Sequence, residues 1–97
     1  MANNEKLKGL DDLLDAFLAV KNKEECRDFL IDICTITELQ AMIQRLEVAK
    51  MLHQKQIYAN IVSSTGASTA TISRVNRALH YGENGYQVIL ERLSKGE

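Results

Sequence analysis

The spacing of apolar residues along this chain leaves little room for anything but α-helices. Leucine, isoleucine, valine, methionine and phenylalanine recur at intervals of three and four residues, without the strict alternation of a half-buried strand. None of the 97 residues is proline, so no position is forced to interrupt a helix. The sequence therefore predicts an all-α protein, and this length allows a single domain, 1–97.

Six helices are predicted, and the third is the most strongly marked. It covers about 37–53, begins at a capping-box pattern formed by Thr37 and Gln40, and is apolar over much of its circumference. Such a helix needs neighbours on two sides, which favours a central position in a dimer core. The other predicted helices are 7–20, 22–34 with Asn22 as N-cap, 58–64, 68–80 and 86–93.

Residues 57–80 have the pattern of a helix-turn-helix. Gly66 lies between two short helices and supplies the left-handed backbone conformation of a tight turn, and Ser68 can cap the second helix. In this arrangement the second helix can project into a DNA major groove. The residues predicted to face inward are Ile57, Ile61, Val62, Ala67, Ile72, Val75 and Leu79.

The outward residues of this segment lack negative charge. No Asp or Glu occurs in "TGASTATISRVNRALHYG", residues 65–82, although the chain has 13 acidic residues. The net charge of −1 conceals an asymmetry, because residues 1–34 carry five basic and eight acidic side chains whereas 44–82 carry five basic and one acidic. A local basic surface of this kind suits a polyanionic partner.

The residue types on this outward face suit DNA. Short hydroxyl side chains let a helix N-terminus approach phosphate oxygens closely, threonine and alanine methyl groups can contact thymine methyls, and arginine can contact guanine or phosphate. The predicted DNA-contacting residues are Ser68, Thr69, Ala70, Thr71, Ser73, Arg74 and Arg77. A helix-turn-helix that contacts only protein remains an alternative, because serine and threonine also cap and decorate exposed helices.

Other kinds of site find little support. His53 and His80 have no metal-ligand spacing around them, and there is no Gly-rich phosphate loop or nucleophile elbow. The sequence therefore predicts no catalytic residue, no metal and no cofactor. Cys26 and Cys34 fall in one predicted helix, too far apart for a disulfide, which predicts buried free thiols in a reducing compartment. Without a signal peptide or membrane-spanning run, a cytoplasmic protein is expected.

The stretch "ELQAMIQRLEVAKMLHQKQIYANIVSSTGASTATISRVNRAL" resembles the Trp repressor superfamily and is most similar to its YerC/YecD-type branch. The run "TGASTATISRVNRALHYG" carries the resemblance most specifically, and "QRLEVAKML" comes second. The resemblance spans roughly 7–93 in helix order. It implies an all-helical, intertwined homodimer in which each helix-turn-helix reads half of a double-stranded DNA operator. The implied function is transcriptional regulation, by repression.

The resemblance also implies where a small-molecule effector would bind. The corepressor pocket of the tryptophan-responsive members falls on Thr35, Arg45, Arg74, Val75 and Ala78. Both arginines agree with those members, but Val75 stands where they have a glycine against the indole, and Ala78 where they have a serine hydroxyl. Overpacking costs about 1–3 kcal/mol and a lost hydroxyl partner about 1 kcal/mol. We therefore expect DNA binding without a response to tryptophan, and the sequence identifies no other effector.

A second departure concerns phosphate contacts. The first helix of the motif, "YANIVSS", has none of the basic residues that tryptophan-responsive members use against phosphate. Each missing phosphate contact weakens the electrostatic part of the affinity, so the operator or its affinity is expected to differ from theirs.

Overall fold

A computed structural model describes residues 5–96, which form six α-helices and no β-strand. The helices are α1 (Leu10–Leu18), α2 (Lys23–Ile33), α3 (Ile36–His53), α4 (Tyr58–Thr65), α5 (Thr69–Tyr81) and α6 (Gly85–Ser94). The predicted all-α class and the order of the helices are confirmed. The predicted N-cap of α2 is also confirmed, because the Asn22 side chain accepts a hydrogen bond from the Glu25 N–H at 2.9 Å.

The capping box that begins α3 was predicted at the wrong pair of residues. It lies at Thr35 and Glu38, not at Thr37 and Gln40. The Glu38 N–H donates to Thr35 Oγ1 at 3.1 Å, and the Thr35 N–H donates to Glu38 Oε1 at 2.8 Å. Both pairs have the required spacing, but a carboxylate is the stronger acceptor and is stabilised by the positive end of the helix.

The described residues pack as two compact units, 5–39 and 40–96. In the first unit the rings of Phe17 and Phe29 meet edge to face, with 5.1 Å between their centroids, and no residue of α1 or α2 is buried. Cys26 and Cys34 are free, as predicted, but they are half-buried rather than buried. Whether the two units fold as one domain stays a prediction.

The second unit contains the buried core of the described chain. Its members come from α3, α4, the turn after α4, α5 and α6, so the core joins the helix-turn-helix to the helices on either side. They are Val48, Ala49, Ile61, Ala67, Ile72, Val75, Leu79 and Leu90.

Two of the predicted inward residues do not belong to this core. Ile57 is 64% exposed and Val62 is 37% exposed. Ile57 is the N-cap of α4 and has an extended backbone, so helical periodicity does not apply to it. Val62 follows the fully buried Ile61 and is therefore rotated away from the core by about 100°. The other five inward residues are buried as predicted.

The connection between α3 and α4 places a lysine in a backbone conformation that favours glycine. Lys55 has a φ of 67°. Its N–H donates to the Leu52 carbonyl at 3.0 Å, and the Gln56 N–H donates to the Met51 carbonyl at 3.0 Å. This pair of hydrogen bonds is the Schellman motif, which ends a helix when the residue after its C-cap is left-handed. Lys55 has that position here, and glycine is the usual residue there. The Cβ of Lys55 therefore introduces local strain.

Replacing this lysine by glycine should stabilise the protein. Relief of the left-handed strain outweighs the greater freedom of glycine in the unfolded chain, so Lys55→Gly is expected to raise the free energy of unfolding by about 0.5–1 kcal/mol. Thermal denaturation followed by circular dichroism measures this change. Lys55→Ala is the matched control, because it removes the charge but keeps the strain, and it should not stabilise. An equal gain in both variants would assign the effect to charge instead.

Candidate nucleic-acid interface

The turn between α4 and α5 is held by Gly66 and by the side chain before it. Gly66 has a φ of 72°, as the predicted left-handed turn requires, and its N–H donates to the Val62 carbonyl at 2.9 Å. Thr65 Oγ1 donates to the Ile61 carbonyl at 2.7 Å and accepts from the Ala67 N–H at 3.1 Å. Thr65 thus links the last turn of α4 to the chain that enters α5.

The N-terminus of α5 has one internal cap and two open donors. Ser68 Oγ accepts from the Thr71 N–H at 3.1 Å and lies 3.1 Å from Thr71 Oγ1, so the predicted cap is confirmed. Within the described chain, the N–H groups of Thr69 and Ala70 have no hydrogen-bond partner. These N–H groups lie at the positive end of the helix dipole, where a phosphate oxygen would be stabilised.

The helix α5 has one buried face and one exposed face. The buried face consists of Ile72, Val75 and Leu79. All the predicted DNA-contacting residues are exposed except Thr71, which is half-buried: the exposed ones are Ser68, Thr69, Ala70, Ser73, Arg74 and Arg77. The helical spacing brings Ala70, Arg74 and Arg77 onto one side. The predicted orientation is thus observed, whereas contact with DNA stays a prediction.

The stretch without carboxylates is longer than residues 65–82. Residues 48–82 contain no Asp or Glu, so α4, the turn and α5 carry no acidic side chain. The ion pairs Arg27–Asp28 and Lys95–Glu91 lie outside this stretch, and no carboxylate of the described residues pairs with Arg74 or Arg77. The guanidinium groups of Arg74 and Arg77 therefore keep their positive charge available to an external anion.

Residues 8–94 match the family model described as Trp repressor protein. This chain belongs to the Trp repressor family. It is 50% identical over 95 residues to the uncharacterized protein YerC of Bacillus subtilis strain 168, a match that covers 96% of this chain and 91% of YerC.

Two solved structures share the fold. One is a candidate Trp repressor from Staphylococcus aureus, with 50% identity, a TM-score of 0.88 and coverage of 97% of this chain and 96% of the other. The second is a TrpR-like protein from Eubacterium eligens, with 51% identity, a TM-score of 0.88 and coverage of 95% and 96%. The resemblance inferred from the sequence is thereby confirmed, and the all-α Trp repressor fold with it.

The effector-pocket residues implied by the Trp repressor resemblance have different environments. Thr35 belongs to the first unit, where its hydroxyl caps α3. Arg45 and Arg74 belong to the second unit and are exposed, while Val75 is only 2% exposed and its side chain packs in the core. Ala78 is exposed. An effector pocket formed by these residues stays a prediction.

An apolar groove lies beside Ala78 in the second unit. Its volume is about 490 Å³. It is formed by α3, by the end of α5 and by α6, and its lining residues are Leu46, Ala78, Gly82, Glu83, Gly85, Tyr86, Ile89 and Leu90. Of the predicted pocket residues, Ala78 alone is among them.

Three residues whose side chains hydrogen-bond to the backbone of the helix-turn-helix were not identified from the sequence. Thr65 had a local signal, since a threonine that ends a helix before glycine can bond back to the preceding turn. Gln44 and Gln87 donate to backbone carbonyls of residues 65 and 79. No local pattern reveals these two hydrogen bonds, because each joins separate helices.

The described residues give no sign of a membrane span or a metal site. Within 5–96, every helix is too short or too polar to cross a lipid bilayer. The same residues include no group of three or more His, Cys, Asp and Glu side chains arranged to hold a metal ion.

Proposed function

We propose that this protein is a transcriptional regulator that binds a double-stranded DNA operator sequence-specifically, as a homodimer in the cytoplasm, and represses transcription. The observation that carries the proposal is the exposed face of α5. It combines open backbone donors at a helix N-terminus, two arginines without carboxylate partners and short hydroxyl side chains. Membership of the Trp repressor family supports the same function.

Each part of this face has a distinct role in the proposed complex. The N–H groups of Thr69 and Ala70 bind a phosphate oxygen at the positive end of α5 and set the register of the helix on the duplex. Thr71, Ser73 and the Ala70 methyl group approach base edges in the major groove. Arg74 and Arg77 follow on the same helix and bind phosphate or guanine.

A homodimer is supported by apolar side chains that remain exposed on the single chain. In the first unit, Leu14 is 48% exposed and Leu18 is 84% exposed. In the second unit, Met42, Ile43 and Leu46 on α3 are 41%, 58% and 38% exposed. Exposed apolar residues in such numbers are typical of an interface, and a two-fold dimer presents two recognition helices to two half-sites.

Tryptophan is not the effector in this proposal. Val75 occupies core volume where the tryptophan-responsive members have glycine, and Ala78 provides no hydroxyl. The regulator is therefore either competent for DNA without a ligand or responds to another small molecule.

The proposed function is tested by selecting duplexes from a random double-stranded DNA library and measuring affinity for the selected duplex as salt is raised. We expect one recurrent sequence with two half-sites, and an affinity that falls steeply with salt because bound counterions are released. If no sequence is enriched, or if the affinity for DNA does not change with salt concentration, the alternative in which the helix-turn-helix contacts protein is favoured.

Arg74→Ala should weaken binding to the selected duplex at least about tenfold. If each Arg74 binds one phosphate, the slope of log affinity against log salt should fall by about 2 for the dimer. Arg27→Ala is the matched control, because Arg27 is an exposed arginine of the first unit that pairs with Asp28. Size-exclusion chromatography should give the same dimer for both variants. Wild-type affinity in Arg74→Ala would remove this arginine from the interface.

A further inference from the structure

Two glutamine side chains hold the chain at the two ends of α5. Gln44 of α3 donates through Nε2 to the Thr65 carbonyl at 3.2 Å. Gln87 of α6 donates through Nε2 to the Leu79 carbonyl at 3.1 Å. Thr65 is the last residue of α4, directly before the turn into α5, and Leu79 lies in the last turn of α5. The segment with the proposed DNA contacts therefore lies between the two acceptors.

Both acceptors are carbonyls that the helices leave without an internal donor. The last four carbonyl groups of an α-helix have no partner within it, and Thr65 and Leu79 both fall in that position. Both hydrogen bonds are partly buried, so water replaces a lost donor incompletely. The glutamines thus supply donors that neither α4 nor α5 can provide for itself.

These hydrogen bonds add directional restraints to the contacts of the apolar core. The core contacts of Ile61, Ile72 and Val75 are non-directional, so they set no preferred angle or distance of their own between particular atoms. A hydrogen bond weakens once the donor and acceptor move beyond about 3.2 Å or the angle opens. A recognition helix needs placement to within about 0.5 Å, and directional contacts at both ends provide it.

We infer that Gln44 and Gln87 are positioning residues that fix the recognition helix against α3 and α6 in the free protein, so that its DNA-reading face needs no bound small molecule for its placement. The inference rests on the proposed function and adds its regulation. If the chain's own hydrogen bonds hold α5 in place, the protein can bind DNA before any effector binds. A ligand can shift DNA affinity only if it binds two placements of α5 differently, and these two hydrogen bonds select one placement.

The test compares Gln44→Met and Gln87→Met with the wild type. Methionine keeps the length of the side chain and removes the donor. Each dimer carries two copies of the change, so each variant should bind the selected duplex about tenfold more weakly. Binding to a scrambled duplex and the salt slope should not change, because no phosphate contact is lost. If the two glutamines had only a structural role, the variants would have a lower melting temperature. The ratio of the affinity for the selected duplex to that for the scrambled duplex would then be unchanged.

Amide hydrogen exchange without DNA provides a second readout. In Gln44→Met the N–H groups of Gly66 and Ala67 should exchange faster, and in Gln87→Met that of Gly82 should, while the rest of the core stays protected. Gln40→Met is the matched control, since Gln40 is an exposed glutamine of the same helix α3. If Gln44→Met fails to fold, Gln44→Asn keeps an amide that is one methylene too short to reach Thr65.

The outcomes separate this inference from the proposed function. If the wild type enriches no duplex, the proposed function fails, whatever the glutamine variants do. If the wild type enriches a duplex and the two methionine variants bind it as tightly, the inference is overturned. Equal losses on the selected and the scrambled duplex would overturn it as well.

Discussion

Thr71→Glu should abolish specific DNA binding and leave α5 at least as stable as before. Thr71 is the third residue of α5, and Ser68 is its N-cap. A serine N-cap with glutamate three residues later is the capping-box arrangement, and a carboxylate in the first turn also favours the helix dipole by about 0.3–1 kcal/mol. In the proposed complex the same carboxylate would bring a negative charge into the major groove, next to the phosphate bound at the N-terminus of α5, on both half-sites of the operator. We expect an affinity loss of at least about a hundredfold, since like-charge contacts at an interface cost several kcal/mol.

Thr71→Gln separates charge from shape in this experiment. Glutamine has the size of glutamate, can complete the same capping box and carries no charge. Fluorescence anisotropy with the selected duplex should therefore show a small loss for Thr71→Gln and a large one for Thr71→Glu. Melting curves should show both variants as stable as the wild type. Full operator affinity in Thr71→Glu would mean that the N-terminus of α5 does not enter the major groove.

The features of α5 could be predicted from the sequence because they are local. The buried face, the Ser68 cap and the Gly66 turn each depend on residues within one or two helical turns of one another. Predictions were wrong where a helix was too short to show a clear periodicity, or where two residue pairs had the same spacing. At α4, a helix of only two turns, Val62 and the N-cap residue Ile57 are assigned to the core from too few positions. At α3, Thr37 with Gln40 and Thr35 with Glu38 both had the spacing of a capping box.

Contacts between separate helices could not be predicted in this way. The hydrogen bonds of Gln44 and Gln87 have no sequence pattern, because their acceptors are backbone carbonyls and every residue has one. Periodicity has a similar limit in α1. It identifies a stripe of leucines as one face of the helix, but Leu13, Leu14 and Leu18 remain 38%, 48% and 84% exposed. The spacing indicates which side is apolar, and not what covers it.

Val75→Gly, the change toward the tryptophan-responsive members, should strongly destabilise the protein. Val75 is 2% exposed and packs in the same core as Ile72 and Leu79. Losing its buried methyl groups costs about 2–3 kcal/mol, and glycine inside a helix costs about 1 kcal/mol more. The sum is a large part of the 5–15 kcal/mol that stabilises a typical domain. Val75→Ala measures the cavity without a glycine in the helix, and Ala78→Gly, at an exposed position of α5, measures the cost of a helical glycine.

The stability of these variants bears directly on tryptophan. Where a glycine lies against a ligand, the ligand occupies the space that a side chain would take. In this protein the Val75 side chain occupies core volume without any ligand. Calorimetric titration of the wild type with tryptophan should therefore give no binding heat at micromolar concentrations. Melting curves should place Val75→Gly roughly 12 °C or more below the wild type. Micromolar tryptophan binding by the wild type, or an unchanged melting temperature in Val75→Gly, would show that this valine does not replace the ligand in the core.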